Sequence, residues 1–275
     1  MTPADGDRVD ALIDRYDRGA SHYRELWAPT LRIAGRRLLR ELTSRPTNRI
    51  LDIATGVGAF LPELRAAFPS ARITGVDRSA GMLALVPREF PVAVMDACRL
   101  GFAPASVDLV FLAFVLFHLQ EPEVALSEAR RILTTEGCVG CITWGGEFES
   151  TADRIWVECL DAHGARPNDP DVTARHDAVD TPSKMEALLN GAGFTVARSW
   201  SEELVDRFDM ERLLRLKTNL GSSKPRFDSL EPAAREACLD AARGRMVALT
   251  PDDFVARGRV IYSVGEGFRL NRDSE

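Results

Sequence analysis

Residues 50–60 read Ile-Leu-Asp-Ile-Ala-Thr-Gly-Val-Gly-Ala-Phe. An apolar run carries Asp52, and Gly56 and Gly58 follow directly. Nineteen residues beyond Gly58, Asp77 ends a second apolar run, Ile73-Thr74-Gly75-Val76. The pattern predicts a strand, a tight glycine turn, a helix and a second strand tipped with a carboxylate. Such a unit belongs to a doubly wound α/β sheet, whose ligands lie across the carboxyl ends of adjacent strands. Glycine has no Cβ, so the backbone can turn sharply and approach a ligand closely. Asp77 is placed to accept hydrogen bonds from the two hydroxyls of a ribose.

Two nucleoside ligands need different loops. A dinucleotide fingerprint, G-x-G-x-x-G, holds a pyrophosphate on its helix N-terminus. Here the third glycine position is Leu61, and that pattern fails. The loop instead has the form D-x-A-x-G-x-G, with Asp52 four residues ahead of Gly56. A carboxylate at the end of the first strand repels a pyrophosphate and suits the cationic amino group of a methionine moiety. This stretch resembles the signature of class I S-adenosylmethionine-dependent methyltransferases. It is most similar to the small-molecule group that includes the ubiquinone and menaquinone C-methyltransferases. That family usually has glycine where this chain has Ala54, with alanine as a variant.

The resemblance covers roughly residues 48–145. Met95-Asp96-Ala97 follows a third apolar run, Val92-Ala93-Val94. In the family, the acid there receives the adenine amino group and the next amide faces the ring. Ser106 to Phe111 is read as the fourth strand, and Phe117-His118-Leu119 follows it. Glu121 to Leu133 is read as a helix ending before Gly137. The ordered acids Asp52, Asp77, Asp96 and Asp108 are read as lying at successive strand ends. The resemblance assigns cofactor contacts to Tyr23, Asp52, Ala54, Thr55, Gly56, Gly58, Asp77, Arg78, Met82, Asp96, Ala97 and Ala113. The cofactor it implies is S-adenosyl-L-methionine, leaving S-adenosyl-L-homocysteine as product.

The net charge of −6 argues against a nucleic-acid backbone as the main partner. Only Lys184, Lys217 and Lys224 are lysines among 35 basic residues; the scattered arginines point to a high-GC bacterial coding sequence. The first residues, Met-Thr-Pro-Ala-Asp-Gly-Asp, lack the basic and apolar regions of a secretory signal. The longest apolar run, Leu109 to Phe117, is about half of what a membrane-spanning helix requires. A cytoplasmic location is therefore expected, with no membrane span. Five cysteines form no disulfide framework. Cys138 and Cys141 have the spacing of a metal pair, but strand residues three apart face opposite sides, so no metal is expected.

Seven strands are expected, at 49–54, 72–77, 91–95, 107–113, 138–144, 194–200 and 258–264. Their alternation with helical segments predicts an α/β doubly wound, seven-stranded, mostly parallel sheet (a Rossmann-like methyltransferase fold) with a helical lid. The resemblance adds the strand order 3-2-1-4-5-7-6, with the seventh strand antiparallel. Residues 1–47 are expected as an N-terminal helical lid, helical over 6–43 and interrupted near Trp27-Ala28-Pro29 because proline removes a donor. Within it, Tyr16-Asp17-Arg18-Gly19-Ala20-Ser21-His22-Tyr23 is similar to a Y-D-x-x-A-x-x-Y element that closes over the cofactor in related methyltransferases. Tyr23, with Tyr16, is its expected lid contact. Residues 48–146 form the cofactor-binding half. Residues 147–205 form an inserted helical segment and the sixth strand, with a helix from Thr181-Pro182-Ser183 that stops at Gly191. Residues 206–256 form a helical substrate lid, with helices at 210–216 and near 232–248 and a further helix start at Thr250-Pro251-Asp252-Asp253. Residues 257–275 supply the seventh strand and a tail.

Methyl transfer from a sulfonium is an in-line displacement, in which the protein supplies proximity and orientation. A general base is needed only where the acceptor must lose a proton. His118, on the rim after the fourth strand, is the candidate. His163 fits a helix C-terminus, His176 lies in the inserted segment, and His22 reads as structural. Ala113-Phe114-Val115-Leu116 stands where nucleic-acid and protein amino-methylases often carry an Asn/Asp-Pro-Pro-aromatic motif. That apolar strand end, with Phe114 and Phe117, fits a small, fairly hydrophobic acceptor. The alternative is a protein of this fold that keeps the cofactor pocket but catalyses cyclisation, decarboxylation or hydroxylation.

Overall fold

The computed structural model of the protein describes residues 3–146 and 148–267; residues 1, 2 and 147 and the tail from 268 to 275 lie outside it. The chain begins with α1 (Pro3–His22), a π-helical turn (Tyr23–Trp27) and α2 (Ala28–Leu42). Then come β1 (Arg49–Ile53), α3 (Leu61–Ala67), β2 (Arg72–Asp77), α4 (Ala80–Leu83), β3 (Val92–Val94) and β4 (Val107–Ala113). A 3-10 turn (Leu116–His118) leads into α5 (Pro122–Ile132) and β5 (Leu133–Trp144). Three helices follow, α6 (Thr151–Ala162), α7 (Pro170–Asp177) and α8 (Pro182–Gly191), before β6 (Thr195–Arg207). Last are α9 (Met210–Asn219), α10 (Ser223–Asp228), α11 (Pro232–Met246), a 3-10 turn (Pro251–Phe254) and β7 (Val255–Glu266).

The seven strands form one sheet in the order β3-β2-β1-β4-β5-β7-β6. β7 runs antiparallel to both its neighbours, and the other pairings are parallel. β1 and β4, in the middle, are buried along most of their length, with the apolar residues Ile50, Leu51, Ile53 and 109–113, as parallel strands covered on both faces must be. Gly140 faces Leu38 and Leu42 of α2. Thr143 lies an odd number of residues on and so on the other face, where it donates to the Val179 carbonyl just before α8. The sheet is thus covered on both sides. A second apolar cluster, with Trp156, Leu213, Leu214, Cys238 and Met246, lies among α6, α9 and α11. No helix among the described residues is long and apolar enough to cross a membrane.

The interruption near Pro29 takes a specific form. Proline has no N–H, and the Ala28 amide bonds back five residues to the Tyr23 carbonyl, which makes the turn π-helical. That wider turn carries Tyr23 and Trp27.

Several expected boundaries move. β1 ends at Ile53 because Ala54 has φ +58°, outside the strand region. The helix of residues 121–133 stops at Ile132, and the strand expected at 138–144 begins at Leu133, which pairs with Val107 before an irregular stretch resumes at Cys138 opposite Leu109. β6 and β7 run well past 194–200 and 258–264, because each antiparallel partner satisfies the other's backbone from Thr195–Glu266 to Arg207–Val255. β3 is shorter than expected. The left-handed glycine after α8 is Gly193 (φ +82°), and Gly191 remains inside the helix. Between the two helices expected in 206–256, Pro225 lies in a further short helix, α10, and the helix start at Thr250 gives only one 3-10 turn, closed by a Thr250–Asp253 capping box.

Candidate functional site

The glycine loop sits where β1 gives way to α3. Ala54, Gly56 and Gly58 all have positive φ, +58°, +57° and +73°. An L-residue with a side chain is strained there, which gives the physical reason glycine is common at the position of Ala54. A side chain on Gly58 would meet Leu61 and Val86 at 3.0 Å. Leu61, in the third position of the failed dinucleotide pattern, is fully buried core. Thr55 fits because Gly75 of β2 leaves room: a Cβ there would lie 2.7 Å from the threonine methyl.

Two carboxylates converge on this loop. Asp52 is buried, and its partner is the Thr55 hydroxyl at 2.6 Å. Burial raises its pKa to about 7, with the nearby Asp77 charge adding to the rise and the Thr55 bond opposing it. Asp77, at the end of β2, accepts from the Gly56 amide and the Ser79 amide, each at 2.8 Å. Burial raises its pKa as well, against the pull of the Ser79, Gly56 and Arg78 amides. Beside β3, Asp96 accepts from Arg78 at 2.6 Å and from the Cys98 amide at 2.9 Å, and Ala97 is buried next to it.

The Tyr16–Tyr23 element packs beside these acids. Met82 packs with Ala20, Ala28, Val57 and Ala59, and Tyr16 and Tyr23 lie against that group. The Tyr23 phenol is buried close enough to Asp77 and Asp52 for both charges to raise its pKa further, after burial itself. Asp17 receives the Ser79 hydroxyl and, at 2.8 Å, the Gly81 amide, so α1 is fastened to the start of α4. A Cβ on Gly81 would come within 2.9 Å of Asp17. Sequence reasoning quoted Asp17 within the Tyr16–Tyr23 element but gave it no role; its signal was a carboxylate facing the amides of a helix start.

Ala113 is buried at the end of β4, and the residue after it, Phe114, has φ +57°. An aromatic residue in that region is held there by its surroundings: its amide donates to Ile142 at 2.7 Å and its ring lies 4.7 Å from Trp144. Trp144 also meets Trp27 at 5.7 Å and Phe148 at 5.6 Å. Sequence reading identified Phe114 but not these partners, which come from two separate segments, 142–148 and the turn at Trp27.

His118 ends the 3-10 turn beyond β4. Its Nε2 lies 2.9 Å from the Tyr16 hydroxyl. The ring is thus oriented by Tyr16. Burial, then the nearby His176, Arg15 and Arg175, push the His118 pKa down to about 3, and the imidazole is neutral at ordinary pH. His176 is brought to the same place from α7, stacked on Phe117 at 4.1 Å. His163 is not: it caps α6, with Nδ1 2.7 Å from the Cys159 carbonyl. His22 closes α1.

One expected member of the acid series is misplaced. Asp108 is the second residue of β4, at the amino end of the sheet, away from the other three acids. There it accepts from the Asn48 and Arg49 amides at 3.0 Å and from the Arg49 guanidinium at 2.8 Å, tying two strand starts together. Cys138 and Cys141 are both buried in β5, and burial raises their thiol pKa values to about 11 and about 12.

Residues 51–141 match the family profile described as a methyltransferase domain. With the strand order and the loop geometry, this makes the segment a class I S-adenosylmethionine-dependent methyltransferase domain, whose cofactor is S-adenosylmethionine. The chain is similar to the ubiquinone/menaquinone biosynthesis C-methyltransferase of Syntrophotalea carbinolica, 36% identical over 106 residues, covering 36% of this chain and 45% of that protein. It is also similar to the malonyl-[acyl-carrier protein] O-methyltransferase of Geobacter sulfurreducens, 28% identical over 226 residues, covering 77% of this chain and 82% of that protein. The chain spans about half the length of most of the curated relatives it matches. In fold it is similar to a putative methyltransferase of Haloferax volcanii solved with the Trm112 methyltransferase activator, with a TM-score of 0.52, 21% identity and coverage of 97% of this chain and 98% of the other.

Proposed function

We propose that this protein transfers a methyl group from S-adenosylmethionine to a small, fairly hydrophobic metabolite. The observation that carries the reading is the pair of buried acids at the glycine loop. Asp52 is a buried carboxylate partnered by one hydroxyl, the arrangement an ammonium group would complete. Asp77 accepts the Gly56 amide on one oxygen and the Ser79 amide on the other, and its remaining acceptor capacity is assigned to the ribose hydroxyls. Asp96 and the Ala97 amide are assigned to the adenine. Ala54, Thr55, Gly56 and Gly58 form the backbone floor, and Arg78 positions Asp96. Met82, Ala113 and Tyr23 form apolar walls.

When bound, the sulfonium supplies the reactive methyl. The chain's own residues hold, orient and exclude water. His118, made weakly basic by burial and engaged by Tyr16, serves to position groups at the rim more than to remove a proton, which favours an acceptor that is already nucleophilic. The names of the two relatives span carbon and oxygen acceptors, in quinone biosynthesis and on malonyl-[acyl-carrier protein].

Calorimetry with S-adenosylhomocysteine tests the reading. Micromolar or tighter binding is expected in the unaltered protein. Asp77→Ala removes a charged acceptor, worth on the order of 1.5–3 kcal/mol, and is expected to weaken binding roughly tenfold to a hundredfold. Unchanged affinity in that variant, or binding of NADH in place of S-adenosylhomocysteine, would overturn the assignment.

A further inference from the structure

The chain's arginines are mostly tied to carboxylates. On the two helices over the rim, Arg8 of α1 pairs with Asp171 of α7 at 2.7 Å, and beside β3 Arg78 pairs with Asp96. Two arginines near His118 differ. Arg15 of α1 has its guanidinium 5.8 Å from the Tyr16 ring centre. Arg175 of α7 precedes His176, whose ring is stacked on Phe117 and meets His118 edge-on at 6.4 Å. Neither guanidinium has an ion pair or a hydrogen bond among the described residues, and the Arg175 Nε is buried without a partner. A buried donor left unpaired costs about 1–3 kcal/mol, and native proteins keep few of them. Both cations are near enough to His118 to depress its pKa; Arg15 adjoins Tyr16, whose hydroxyl meets His118, and Arg175 adjoins His176, whose ring meets it.

We propose that the methyl acceptor is a carboxylate on an apolar body, and that Arg15 and Arg175 recognise its charged end; this rests on the methyl-transfer reading above. A guanidinium matches a carboxylate with two parallel donors. The aromatic group of Phe114, Trp144, Phe148 and Trp27, at the ends of β4 and β5, accommodates the apolar part. The chemistry is self-consistent. An oxygen lone pair of the carboxylate forms the new bond to the methyl carbon, the carbon–sulfur bond breaks, and its electron pair stays on sulfur. The anion becomes a neutral ester and the sulfonium a neutral thioether. No proton leaves, so no base is required, and the Tyr16-bound His118 has none to remove.

The test is calorimetric and separates the two layers of the reading. Protein saturated with S-adenosylhomocysteine is titrated with octanoate and benzoate, then with octanamide and octyl phosphate. At least one carboxylate should bind, and octanamide should bind at least tenfold more weakly than octanoate. Arg175→Gln and Arg15→Gln should each weaken carboxylate binding about tenfold or more, the scale of one charge-assisted hydrogen bond. Octanamide and S-adenosylhomocysteine affinities should not change. Arg175→Lys, which keeps the charge but not the fork, should fall between the two and serves if the glutamine variant is unstable. Equal binding of octanoate and octanamide, binding of octyl phosphate alone, no binding of either carboxylate, or no loss in both glutamine variants would overturn the proposal. Failure of S-adenosylhomocysteine to bind would instead overturn the methyl-transfer reading beneath it.

Discussion

The floor of the crevice and the helical cover above it are built on opposite principles. On the floor, each polar group is placed by a neighbour a few residues away or one strand over. Thr55 answers Asp52, and the Gly56 and Ser79 amides answer Asp77. The excess charge there is negative. In the cover, segments far apart in sequence meet: Tyr16 with His118, Phe117 with His176, Trp27 with Trp144. There Arg15 and Arg175 lack ion partners among the described residues, and the walls are aromatic. A floor of acids and a rim of cations complement a cationic donor and an anionic acceptor.

The largest expected effect breaks the floor alone. Asp52→Asn removes the buried charge and should weaken S-adenosylhomocysteine binding about tenfold to a hundredfold, as loss of a charge-assisted bond implies. Its effect on the ligand-free protein has the opposite sign. The folded pKa of Asp52, about 7, is above that of an ordinary aspartate, and the native state binds the extra proton. Stability from this group is therefore full below about pH 4 and is lost as pH rises toward 7. Asp52→Asn should then raise Tm at pH 8 and leave it nearly unchanged at pH 4. A Tm gain that is equal at both pH values would show that the Asp52 charge is not strained in the fold.

An intermediate effect concerns how the cover is held down. Arg212 of α9 donates to Asp206 at 3.0 Å and to the Thr30 hydroxyl and the Leu26 carbonyl at 3.2 Å, and lies 4.2 Å over the Phe208 ring. Asp206 also receives the Thr30 hydroxyl. Arg212→Ala leaves Asp206 mostly buried without its cation and should cost about 2 kcal/mol, roughly 4–8 °C in Tm for a chain of this size. Hydrogen exchange should rise across α9–α11 while S-adenosylhomocysteine affinity stays within about threefold. An equal loss of cofactor affinity would mean that floor and cover are one unit.

The smallest effect is at Ala54. Its φ of +58° costs an alanine on the order of 1–2 kcal/mol, part of which glycine would return as greater freedom in the unfolded chain. Ala54→Gly should therefore stabilise by about 0.5–1 kcal/mol with cofactor affinity unchanged. A loss of stability would show that the alanine methyl packs usefully in the loop.

Much of the floor was legible because its determinants are local. Asp52, Gly56, Gly58 and Asp77 lie at fixed spacings that a strand–turn–helix–strand unit imposes. The helix starts at Pro182 and Pro232 likewise carry their signals within a few residues. Asp108 was misjudged because an acid beside an apolar run does not by itself say which end of the strand it occupies. Gly191 was misjudged because either of two nearby glycines fits a helix end, and backbone bonding selects Gly193. The lengths of β6 and β7 were underestimated because a strand continues as long as its partner supplies hydrogen bonds.

By itself the sequence determined the sheet, its glycine loop and the acid at the end of the first strand, since these depend on periodicity, on backbone freedom and on which side chains end an apolar run. Only the tertiary structure decided that α1 and α7 meet over His118, that Tyr16 orients its ring, and that Arg15 and Arg175 stand there without carboxylate partners among the described residues. Those contacts join residues more than a hundred positions apart. They are selected by how helices pack over the end of the sheet, and no local pattern along the chain encodes that.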